Sequence, residues 1–158
     1  MKLKNILFTL FFLSIIQFTM AQVTPIETVT DAKQTTYSTK SYNNYDTTFK
    51  NQSYDLIRKL QENLRLVDNV DLTFIKSCVL NDTSLQNTNS IFYVEYIVNQ
   101  NGNVLGCRLI NYGNKVSLSN NEVECILTAA MNNTFSFNNI PNDVNDFYSR
   151  IMKRYVFK

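Results

Sequence analysis

The chain has 158 residues, 15 of them basic and 13 acidic, with three cysteines, three glycines and neither histidine nor tryptophan. Without histidine there is no Ser-His-Asp or Cys-His nucleophile pair and no imidazole metal ligand, which closes the commonest routes to hydrolysis and zinc chemistry. Gly102, Gly106 and Gly113 crowd into one window and fit neither the phosphate-binding loop nor the dinucleotide fingerprint, so the chain reads as a non-enzymatic binding protein that needs no cofactor or metal.

The N-terminus carries Lys2 and Lys4, an apolar run from Ile6 to about Met20, and small residues at Thr19 and Ala21. This is the layout of a secretory signal over residues 1–21, cleaved after Ala21. The rival reading is a retained anchor, but the run is broken by Thr9, Ser14, Gln17 and Thr19, and a span wants about 20 predominantly apolar residues. Removing Lys2 and Lys4 leaves 13 basic against 13 acidic residues, a poor footprint for nucleic acid. In an oxidising compartment Cys78, Cys107 and Cys125 give either one disulfide and a free thiol or three buried apolar residues.

Residues 22–50 are rich in Thr, Ser and Asn, with Tyr37, Tyr42, Tyr45 and Phe49 at no evident period, and read as a flexible tether. Ser53 then caps a helix over residues 53–66 whose apolar stripe is Ile57, Leu60, Leu64 and Val67, with Asp55 and Lys59 as an i,i+4 pair. Residues 70–80 are apolar without a clean period and suggest a short extended piece, and residues 81–90 a polar loop.

Residues 91–98 alternate, Phe92, Val94, Tyr96 and Val98 on one face and Ile91, Tyr93, Glu95 and Ile97 on the other, with Glu95 outward. Asn99-Gln100-Asn101-Gly102 is turn chemistry and a return strand follows over residues 103–111, which makes a hairpin. Ser119 and Glu122 have the spacing of a capping box. Val123, Ile126, Leu127, Ala130 and Met131 form the stripe of a sheet-covering helix, with Cys125 on the opposite side, out of reach of a core-facing Cys107 unless the helix is covered on both sides, so no disulfide is assigned. A last strand spans residues 149–158, Ile151, Tyr155 and Phe157 on one parity and Arg150, Met152, Arg154 and Val156 on the other. The order α-β-β-α-β predicts an α+β, two-layer fold: a three-stranded antiparallel sheet with helices on one face.

The segment FYVEYIVNQNGNVLGCRLINYG from Phe92, the helix from Val123 to Met131, the pair Phe135 and Phe137, the closing RYVFK and the upstream YDLIRKLQENLRL together resemble the C-terminal domain of TonB energy transducers. The resemblance covers residues 51–158 and departs from the family pattern at Leu66-Val67, where Tyr-Pro is usual, and at the delayed Pro141. It implies that the last strand lies at a sheet edge and accepts an extended peptide from an outer-membrane or other envelope protein by β-augmentation. Arg150, Met152, Lys153, Arg154, Tyr155, Val156 and Phe157 are the matching partner-binding positions, and their basic charges suit an acidic or polar peptide. The expected setting is periplasmic or secreted, with a membrane-anchored transducer or a structural surface protein as alternatives.

Overall fold

The alternating residues pair as their pattern dictates. In the computed structural model, which describes residues 26–67, 70–79, 90–113 and 116–156, β4 (Ile91–Asn99) and β5 (Val104–Tyr112) form an antiparallel hairpin with Tyr96 opposite Cys107 and Glu95 opposite Arg108. The Gly102 N–H donates to the Asn99 carbonyl at 2.9 Å, and the Asn99 side-chain oxygen accepts from the N–H groups of Asn101 and Asn103. Gly102 has φ +82°, and a Cβ there would run into the Phe135 carbonyl, so both backbone freedom and space demand glycine. The last strand, β7 (Tyr148–Val156), pairs antiparallel with the free side of β4.

The sheet does not stop at three strands. Residues expected to be a tether form β1 (Ile26–Thr30), β2 (Gln34–Thr39) and helix α1 (Lys40–Lys50). β2 pairs with β5, giving a five-stranded antiparallel sheet in the order β1-β2-β5-β4-β7. Three local causes override the polar composition. Asp31 accepts from the N–H groups of Lys33 and Gln34 and closes the first turn. The Thr39 hydroxyl caps α1 through the Tyr42 N–H and also bonds both the N–H and the carbonyl of Cys107, tying helix start to sheet. Tyr42, Tyr45, Asp46 and Phe49 stand at i, i+3, i+4 and i+7, a helical stripe with one carboxylate in it.

Helices therefore cover both faces, and the expected two layers are three. On one face Phe92, Val94, Tyr96 and Val98 join Cys107 and Leu109 beneath Ile126, Leu127 and Ala130 of α4 (Asn120–Met131). Burying each large apolar side chain there contributes about 1.5–3 kcal/mol. The predicted capping box at Ser119 and Glu122 is present. On the other face α1 packs over β5 and β4, and Glu95, expected to face outward, is only 2% exposed. Gly106 permits this: a Cβ at that position would collide with the Tyr42 backbone.

α2 (Tyr54–Asn63) is capped by Ser53 as predicted but ends three residues early, because Arg65–Val67 leaves the helix to form β3 against β6 (Ser136–Asn138). Lys59 pairs with Asp143 and not with Asp55. The stretch expected to be extended contains a short helix, α3 (Thr73–Cys78), which buries Ile75. Cys78 bonds Cys125 on the outer side of α4, which settles the pairing that the residues alone leave unassigned. Cys107 is free and buried, and burial pushes its thiol up to about 12. Among the described residues no helix is long and apolar enough to cross a membrane. The signal-like residues 1–21, loop residues 81–89 and Phe157 lie outside the described residues.

Candidate functional site

Among the described residues β7 ends the strand order, so only one of its sides is taken by a neighbouring strand. Its register against β4 settles which backbone groups face which way. Tyr148 stands opposite Asn99, yet its N–H donates to Gln52 Oε1 at 2.8 Å and its carbonyl accepts from Gln52 Nε2 at 2.9 Å. The Gln52 amide thus imitates a strand partner on the outer side. In an antiparallel ladder such groups alternate, so Arg150, Met152, Arg154 and Val156 also direct N–H and C=O away from β4, while Ser149, Ile151, Lys153 and Tyr155 direct theirs toward it.

The side chains named by the resemblance do not act alike. Arg150 is turned into the sheet–α1 interface. It ion-pairs with Asp46, stacks its guanidinium 4.6 Å from the Phe49 ring centre, and brings Nε to 3.6 Å from Glu95 Oε1. Glu95 in turn accepts from the Tyr42 hydroxyl at 2.6 Å and from Arg108 Nε at 2.5 Å, and Lys50 closes the group on Asp46 at 2.7 Å. Burial and the neighbouring carboxylate of Glu95 raise the Tyr42 hydroxyl far above its ordinary pKa. Burial opposes ionisation of Asp46, but the hydrogen bond from Lys50 and the charge of Arg150 outweigh it and hold the carboxyl below its usual range. These six polar groups pin α1 to the sheet, with Arg150 Nε buried and held by charge alone, without a hydrogen-bond partner among the described residues.

Met152 is 54% exposed and Arg154 is exposed. Lys153, Tyr155 and Val156 are half-buried. Burial lowers the Lys153 ammonium and raises the Tyr155 hydroxyl, the latter assisted by the charge of Asp71. Of the seven predicted positions, then, Met152 and Arg154 combine exposed side chains with outward main-chain groups, and Arg150 offers main chain only.

Beside this edge runs a groove of about 410 Å³. Its lining comes from the first half of β7, through Met152, from the apolar stripe of α2, Ile57 and Leu60 with Leu64 just beyond, and from Phe49, Leu66 and Phe137. The α2 stripe is visible in the sequence as an amphipathic pattern, but only Leu60 is fully buried. Gln52, Leu66 and Phe137 carry no sequence signal for this role: Leu66 and Phe137 meet through the β3–β6 pairing, and Gln52 is held by its bonds to Tyr148. Compared with known proteins, the chain matches no family model, no curated protein and no solved structure.

Proposed function

We propose that this chain is an exported, non-enzymatic protein-binding module, similar in plan to a TonB C-terminal domain, that takes an extended peptide of an envelope protein along the outer side of β7. The observation that carries the reading is the position of β7 at the end of the sheet with the main-chain groups of Met152 and Arg154 directed outward. The succession α2, β4, β5, α4, β7 supports the TonB-like plan, with β1, β2, α1, β3, α3 and β6 as additions to it. The Cys78–Cys125 disulfide supports maturation in an oxidising compartment, in line with the signal-like residues 1–21.

The ladder supplies a clean test. Proline at Arg154 removes an outward N–H and leaves the bonds to β4 intact, whereas proline at Tyr155 would break the ladder itself. Arg154→Pro is expected to keep the thermal midpoint within a few degrees while abolishing retention of envelope proteins on the immobilised protein. Retention at the unsubstituted level by a folded Arg154→Pro protein refutes the reading. A membrane-anchored transducer is the second reading, favoured by the apolar run from Ile6 to Met20. It requires those residues on the mature chain, which the intact mass of the purified protein decides. The scaffold reading draws less support, because residues 26–50 are built into the sheet and its cover.

A further inference from the structure

We infer that the groove between α2 and β7 is the specificity pocket of this edge, and that it takes a bulky apolar side chain of an extended peptide carrying an acidic residue close by. The inference rests on the reading of β7 as the docking strand and adds what that strand selects.

One wall of the groove is not side chain but backbone. Gln52 occupies the outward groups of Tyr148, so the open stretch starts at Arg150 and passes Met152 to Arg154. An occupant that satisfies those N–H and C=O groups must present its own main chain in extended form. Such a strand, laid against β7, runs through the groove, and its side chains on one face meet Ile57 and Leu64 of the α2 side. The volume of about 410 Å³ holds a short length of main chain and one large side chain. Leu66 and Met152, at 38% and 54% exposure, are large apolar side chains left in water at this rim. Covering them is favourable in proportion to the area removed.

Charge fixes the second element of selectivity. β7 carries Arg150, Lys153 and Arg154 and no acid. Arg150 is neutralised by Asp46 and Glu95, and Arg154 is exposed two residues beyond Met152 in the outward register. An acidic residue about two or three positions from the apolar anchor therefore meets Arg154 at strand spacing. The same charges argue against a second copy of this chain as the occupant, since β7 against β7 sets basic residues opposite basic residues.

The test is selection of a random-peptide display library on the oxidised mature protein, followed by amide hydrogen exchange with the selected peptides. The expected result is a consensus with one large apolar position and a nearby acid. The Arg150, Met152 and Arg154 amides should become protected, and affinity should fall about tenfold or more in Leu66→Glu, whose exposed position spares the fold. Arg154→Glu should shift the consensus from acid to base. Peptides that protect the β7 amides without apolar preference, and bind Leu66→Glu equally well, overturn the pocket and leave the docking strand standing. Peptides that protect none of those amides overturn both. Protection that appears without peptide and rises with protein concentration, together with a dimer in sedimentation, makes a second copy the occupant and also overturns the inference.

Discussion

Glu95 shows how one residue's meaning depends on what covers it. On the strand pattern it belongs to the water side, yet Tyr42, Arg108 and Arg150 surround it and it is almost wholly buried. A carboxylate in that position is tolerable because charged and hydroxyl donors reach it; burying it alone would cost many kcal/mol. Asp46 is a carboxyl whose ionisation this group favours. The groups that face it are Lys50 on its own helix, Arg150 on β7 and, at longer range, Arg108 on β5, all cationic. Its folded pKa is depressed, so its contribution to stability is fully present above the unfolded carboxylate value of about 4 and is lost as pH falls through the lower folded value. Urea midpoints measured between about pH 6 and pH 2 should therefore decline less steeply in Asp46→Asn, which should also be about 1–3 kcal/mol less stable at neutral pH. An unchanged acid limb would remove Asp46 from the account.

At the scale of the element, α1 is the informative case. Its polar face is Thr- and Asn-rich, and its mean composition resembles a linker. Its inner stripe of Tyr42, Tyr45 and Phe49 is helical in spacing but interrupted by Asp46, and that carboxylate becomes an inward residue only when Arg150 is there to receive it. Gly106 is the matching feature on β5. Gly106→Ala forces the Tyr42 backbone outward and should cost about 2 kcal/mol, as overpacking in a filled interior does. The loss should appear in the urea midpoint and in weakened protection of the α1 amides, with those of α4 on the far face little changed. Equal loss of protection on both faces would mean that Gly106 acts through the sheet and not through α1. The α4 helix illustrates the opposite situation. Its capping box and its stripe are both local signals, and both appear where the residues indicate.

For the whole molecule, the disulfide joins elements that the chain separates by 47 residues. Cross-linking a loop of that size stabilises by about 2–4 kcal/mol, mainly by restricting the unfolded chain. Cys78→Ala or Cys125→Ala should lower the thermal midpoint by several degrees. A maleimide should label no thiol of the native oxidised protein and one, Cys107, after denaturation, because burial keeps that thiol protonated and out of reach. Labelling of two or three thiols under native conditions would contradict the bridge. The disulfide holds α3 against α4 on one face while the ionic group holds α1 on the other, so each cover of the sheet has its own fastening.

The sequence by itself determined whatever depends on neighbours within a turn or two. That includes the hairpin at Asn99 to Gly102, the caps at Ser53 and Ser119, the α4 stripe, the side of α4 on which Cys125 lies, and the parity of β7. Short-range hydrogen bonds and residue periodicity are sufficient causes for each of these. Tertiary structure alone decided the two added strands, the helix over Glu95, the inward turn of Arg150 and the groove beside β7. Each depends on residues far apart in the chain. β2 is a strand because β5 offers it an edge, and Glu95 is buried because Gly106 lets Tyr42 approach. The Gln52 amide, 96 positions from Tyr148, marks where the open edge of the last strand begins.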